Sequence, residues 1–225
     1  MTLVVHSFGA YASYSRQDYA WRQDDYGVNR VVKALKGERI NGYADVRGAD
    51  GIVRRIATGG REAALATFVA WGANQVPNAF ALPVVLVPVP CSQCVQFENA
   101  SAPRAMADAL AARFNGWALV GPWLRFVRPM PPSHTGGGRN QAAIEGALVV
   151  NPAAVVRDSN VVLIDDVKTT GAHLRACAGA LRTAGCRVHT VLVAASTVWQ
   201  PVADPYRVEP VDLEANPFED LLQGL

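Results

Sequence analysis

An unbroken apolar run, Val161–Ile164, and a second apolar-rich run, Val188–Ala194, are joined by residues whose apolar members fall at helical spacing: Leu174, Cys177, Ala178 and Leu181. A strand without polar alternation is the pattern of one buried on both faces of a parallel sheet. Gly185 ends the intervening helix, and a strand–helix–strand order of this length makes the two strands parallel neighbours. A third such run, Pro83–Val89, precedes a helix over Pro103–Phe114 with Met106, Ala109 and Leu110 inward. These repeats predict an α/β fold, a parallel sheet flanked by helices, with ligands at the carboxyl ends of the strands.

The first third reads differently. Val28, Val31, Val32 and Leu35 recur at helical spacing between Asp24-Asp25 and Gly37, the usual punctuation of a helix. Ala44–Ala57 carries Asp50-Gly51 between short alternating runs, a hairpin signal. Leu65, Phe68 and Val69 mark a second helix that Gly72 should stop. The expected organisation is a small α+β hood over 1–74, a core over 75–198 and an extension over 199–225. Within the core, Gly121–Gly138 reads as loop, followed by a short strand near Ala147–Val150. The proline-rich, acidic tail is open between a disordered extension and an arm that docks on a partner.

Composition excludes several functions. The chain has 225 residues and a formal net charge of +2, with no basic stripe, so nucleic acid is not the expected partner. No apolar stretch approaches the roughly 20 residues that span a bilayer. The first residues lack a basic stretch followed by a long apolar core, so no secretory signal is expected, and four cysteines without one predict reduced thiols in a cytoplasm. Lysine occurs only at Lys33, Lys36 and Lys168, although basic residues number 21.

The chemistry concentrates in Val161 to His173. Asp165 and Asp166 follow the strand, and consecutive carboxylates serve one site only if the chain turns there; a turn is expected at that point. Backbone N–H groups from Lys168 to Ala172 would then converge at a helix N-terminus, where unpaired amides and the helix dipole favour an anion. Thr169 and Thr170 add hydroxyls, and Gly171 permits close backbone approach. The ligand implied is a phosphorylated sugar with free hydroxyls, accompanied by magnesium. A Walker-type ATPase would need a Gly-Lys phosphate loop, and no Gly-Lys pair exists. A receiver-type acidic pair would lie near the chain start.

The segment resembles the phosphoribosyl-pyrophosphate loop of the type I phosphoribosyltransferases: four apolar residues, two acidic ones, then Thr-Thr-Gly. Within that family it looks most like the ComF group of amidophosphoribosyltransferase-like proteins, through Pro88-Val89-Pro90, Arg104 before an apolar helix, and the stretch from Tyr26 to Lys36. The resemblance covers 83–196 well, the first third weakly and the tail not at all. It implies transfer of 5-phosphoribosyl from phosphoribosyl pyrophosphate to a nucleobase or amine acceptor with Mg²⁺. Asp165 and Asp166 would hold the ribose hydroxyls or Mg²⁺, and Lys168, Thr169, Thr170, Gly171, Ala172 and His173 the 5′-phosphate. Val89, Pro90, Cys91 and Ser92 would form the pyrophosphate loop, with Arg139 on a closing loop. His173 departs from the threonine or serine usual there, and the group's N-terminal zinc module is absent. The alternative is a non-catalytic ComF-like protein that senses the ligand or assists DNA uptake; a homodimer is left open.

Other signals are weaker. Cys91 and Cys94 form a lone C-x-x-C, read as two ordinary thiols. His134 reads as a solvated loop residue, and Trp199 is open between stacking on a base and core packing.

Overall fold

The computed structural model describes residues 2–79, 83–130 and 141–215. The elements in chain order are β1 (Val4–Ala12), α1 (Gln23–Lys36), β2 (Tyr43–Arg47), β3 (Val53–Ala57), α2 (Arg61–Ala79), β4 (Val84–Pro88), α3 (Ala102–Ala112) and β5 (Ala118–Val120). They continue with β6 (Leu124–Phe126), α4 (Gln141–Ala147), β7 (Leu148–Val150), β8 (Asn160–Lys168), α5 (Ala172–Thr183), β9 (Arg187–Val198) and β10 (Val211–Asp212).

Six strands form one sheet in the order β10-β1-β9-β8-β4-β5. All neighbours are parallel except β10, which runs antiparallel to β1 along the edge. The fold is therefore α/β, a mostly parallel sheet flanked by helices. The central strand β8 explains the apolar run that announced it: Val161, Val162, Leu163 and Ile164 are all fully buried. Val162 and Ile164 join the core shared with α1, α2 and α3, whereas Val161 and Leu163 join the core under α5. Burying each such side chain is worth roughly 1.5–3 kcal/mol, so the run anchors both layers.

The sheet reaches beyond the residues expected to supply it. β1 lies inside the first 74 residues, yet it pairs with β9 from Val4↔Thr190 to Ala12↔Val198. Its sequence mixes small, polar and aromatic residues, so no periodicity announced it. At Gly9 a Cβ would stand only 2.7 Å from Val28 Cγ2, and α1 crosses the sheet through that gap. The tail also returns to the same edge. Pro205 O accepts a 2.7 Å hydrogen bond from Ala10 N, Tyr206 meets Phe8 edge-on at 5.6 Å, and β10 pairs with β1. The described part of the tail is thus an arm docked on its own chain.

Helix α1 and the β2–β3 hairpin form as expected, with Gly51 at φ +78° in the turn. Two local expectations fail. Helix α2 continues through Gly72, because a single glycine costs only about 1 kcal/mol and both flanks of α2 are packed, with Phe68 and Val76 fully buried. The stretch from Gly121, read as loop, contains β6, which pairs antiparallel with β7. Strands this short carry too few residues for a readable alternation.

Candidate functional site

From β4 the chain passes through α3 to β5 on one side, whereas β8, α5 and β9 lead the other way. Helix α3 packs on the same face as α1 and α2, and α5 on the opposite face. Between β4 and β8 the winding therefore reverses. At such a point the loops leaving the two strand ends part and open a crevice, the standard ligand position in open α/β sheets.

On one side of that crevice stands the end of β8. The expected turn at Asp165-Asp166 does not occur there. Pairing with β9 continues through Asp165↔Val193, Val167↔Ala195 and Lys168↔Ser196, so the strand stays extended and the turn comes at 169–171. An extended chain sends consecutive side chains to opposite faces. Asp166 meets Lys36 of α1, Nζ to Oδ2 3.7 Å, whereas Asp165 lies on the side of α5, where burial and then its charge raise the Cys177 thiol. Asp165 Oδ1 also accepts the Asp166 backbone N–H at 2.8 Å. Burial holds the Asp166 carboxyl above the usual carboxylate range, against the opposing pull of Lys36.

The turn itself leads straight into the N-terminus of α5. Thr169 and Thr170 are exposed. Gly171 adopts φ +76° as the N-cap of α5, and a Cβ there would meet Leu213 Cδ1 at 2.9 Å. Glycine is required twice over, by the left-handed backbone and by the tail side chain lying against it. Ala172 N donates to Thr170 Oγ1 at 3.4 Å, and Arg175 Nη2 donates to the Thr170 carbonyl at 3.2 Å. Lys168 is buried, 7% exposed. The His173 imidazole stacks on Phe126 with ring centroids 5.5 Å apart, so it belongs with the β6 side of the fold; its contribution to the helix N-terminus is its backbone N–H.

Opposite stands the end of β4. Val89 N donates to Ile164 O at 2.9 Å, the last rung between the two strands, and Pro90 then leaves the sheet. Cys91 and Cys94 are joined in a disulfide, which corrects their reading as ordinary thiols. A C-x-x-C turn brings their Cα atoms to 5.1 Å, within bonding range. Two main-chain hydrogen bonds strap this turn from outside: Phe126 N to Cys94 O and Met130 N to Ser92 O, each 2.8 Å. Arg104 is committed to Glu98 and Asp108. Trp199, 48% exposed, is not a core residue. Arg139 and His134 lie outside the described residues.

Lys36 went unnoticed as a site residue, although the scarcity of lysine was a signal: two of the three lysines attach to this one strand end. Arg175 and Phe126 gave no comparable signal, since each acts through a neighbour remote in sequence. Among the described residues, no group of three or more histidine, cysteine, aspartate or glutamate side chains converges to hold a metal. Asp166, on the α1 face beside Lys36, is the carboxylate that suits a cation arriving with its ligand, because Mg²⁺ is commonly held by one or two carboxylates together with water and substrate phosphate. Among the described residues no helix is long and apolar enough to cross a membrane.

No protein-family model matches the chain, and no curated protein matches it. Solved structures do match. Among them is adenine phosphoribosyltransferase from Thermoanaerobacter pseudethanolicus, 15% identical, covering 65% of this chain and 77% of that one at a TM-score of 0.41.

Proposed function

We propose that this chain is a phosphoribosyltransferase of the ComF-like type, moving 5-phosphoribosyl from phosphoribosyl pyrophosphate to a nucleobase or amine in the presence of Mg²⁺. One observation carries the reading. Asp165 and Asp166 open the last four residues of the central strand where the winding reverses, and a Thr-Thr-Gly turn leads from that strand into the N-terminus of α5. In that order, acceptors for sugar hydroxyls are followed along the chain by donors for a terminal phosphate.

In this reading the backbone N–H groups of Thr169, Thr170, Gly171, Ala172 and His173, with the two threonine hydroxyls, hold the 5′-phosphate. Asp166, on the α1 face, accepts hydrogen bonds from the ribose hydroxyls and fixes the anomeric carbon over the crevice, whereas Asp165, on the α5 face, holds the Asp166 backbone N–H through its Oδ1. The bond from that carbon to the pyrophosphate oxygen breaks as the bond to the acceptor nitrogen forms, through a transition state of oxocarbenium character. The leaving group departs toward Val89–Ser92. The chemistry that Mg²⁺ supplies when bound is neutralisation of the pyrophosphate charge. No side-chain nucleophile is assigned, because the leaving group is already activated.

The test is calorimetric titration with phosphoribosyl pyrophosphate, with and without Mg²⁺, followed by a pyrophosphate-release assay over bases and amines. Magnesium-dependent binding near the micromolar range, about −8 kcal/mol, with release in the presence of one acceptor class supports transfer. Binding with no release assigns the chain to ligand sensing. Absence of binding overturns the reading.

A further inference from the structure

Lys36 comes from the last turn of α1, outside the two strand–helix units that build the crevice. Its Nζ stands 3.7 Å from Asp166 Oδ2, with the two side chains 35% and 21% exposed. That distance is an ion pair without a tight hydrogen bond, so the ammonium is not locked onto the carboxylate. Glu38, just past the helix, also acts on Asp166 with its negative charge. The α1 side of the strand end therefore gathers Asp166 and Glu38, and Lys36 is the cation the structure places against Asp166. Lysine, a compact charge on a flexible stem, can leave a carboxylate for a nearby anion. An arginine at the same place would fork onto the carboxylate and stay. In a chain that otherwise uses arginine almost throughout, the choice of lysine here matches a cation that must move.

We propose that Lys36 is the resident counter-cation of Asp166: it neutralises the carboxylate in the ligand-free site, then yields it to a divalent cation and moves onto an anionic oxygen of the incoming phosphorylated ligand. This rests on the phosphoribosyl reading of the site and gives the N-terminal region a part in binding. Removing the ammonium should then shift the two binding events in opposite directions. A divalent cation alone gains a vacated carboxylate, whereas the anionic ligand loses a charge-assisted contact. A merely structural lysine would move neither event, or would weaken both together.

The experiment compares wild type with Lys36→Met, Lys36→Arg and, as a control in the same helix turn, Lys33→Met. Mn²⁺ binding without ligand is followed by electron paramagnetic resonance, and phosphoribosyl pyrophosphate binding with Mg²⁺ by calorimetry. Circular dichroism confirms that each variant is folded. Lys36→Met is expected to tighten Mn²⁺ severalfold and to weaken phosphoribosyl pyrophosphate by about tenfold, the scale of one charged hydrogen bond. Lys36→Arg should recover part of the ligand affinity without the gain in Mn²⁺ affinity, and Lys33→Met should match wild type. Unchanged Mn²⁺ affinity in folded Lys36→Met overturns the counter-cation role, as does an equal change in Lys33→Met. If wild type takes up no phosphoribosyl pyrophosphate, the phosphoribosyl reading falls, and the Mn²⁺ arm decides the role of Lys36 by the same criterion.

Discussion

The two strand ends that border the crevice are built in opposite ways. β8 ends in consecutive residues that carry their own chemistry: two carboxylates, two hydroxyls and a left-handed glycine leading into a helix. β4 ends in Pro88-Val89-Pro90 and a cystine turn, with little charge of its own, and is held in place by main-chain donors from Phe126 and Met130. One side is a local motif and the other a tertiary assembly. A ligand held between them would draw its specific contacts mainly from β8, whereas β4 supplies shape and a position for backbone amides.

That contrast can be broken most directly at the carboxylates. Asp165→Asn with Asp166→Asn should reduce magnesium-dependent affinity for phosphoribosyl pyrophosphate by about 100-fold or more, the loss of a charged contact and of the carboxylate beside it, with circular dichroism unchanged. An affinity equal to wild type in calorimetry would show that β8 is not the ligand-bearing side. Next in size is Cys91→Ser with Cys94→Ser. Closing so short a loop is worth roughly 2 kcal/mol, so denaturant unfolding should register a loss of that order. Ligand affinity should fall far less than in the carboxylate double variant; a comparable fall would place specific recognition on β4 as well.

Gly171→Ala sharpens the comparison from within β8. The left-handed backbone alone costs about 1–2 kcal/mol for a residue with a Cβ, and Leu213 would have to shift. Unfolding experiments should show that loss together with weaker binding, since the turn presents the amides; binding unchanged at reduced stability would remove the turn from the site. The smallest effect is expected from His173→Thr. The imidazole stacks on Phe126, so the substitution should lower stability by about 0.5–1.5 kcal/mol, the worth of such a ring pair, and leave affinity as it is. A large affinity loss in calorimetry would return the imidazole to the phosphate site.

Legibility followed the same division. The run Val161–Ile164 announced a doubly buried strand because each of its residues faces a packed layer, and the helix after Gly171 announced itself by its spacing. The end of β8 was misjudged by a few residues: the turn was expected at the carboxylates, but β9 continues alongside and keeps the chain extended to Lys168. Strand pairing, supplied by residues remote in sequence, outweighed the local expectation. β1 was not legible at all, since Ser7, Gly9 and Ala10 carry no period. It is a strand because β9 and β10 offer it partners and α1 fits over Gly9. The cystine at 91 and 94 was legible as spacing but not as a bond, because pairing depends on how closely the turn brings the two Cα atoms together.

What the amino-acid sequence determined by itself was the α/β class, the central strand, and the carboxylate–hydroxyl–glycine order that gives this protein a candidate site. Those features rest on short-range physics: burial of consecutive apolar side chains, helix-start geometry and the backbone freedom of glycine. The tertiary structure alone decided that Lys36 stands against Asp166, that Leu213 rests on Gly171, and that Phe126 holds both His173 and the cystine turn. Each of these joins elements distant in the chain, and only the packing of helices and strand edges around the sheet brings such partners within contact distance.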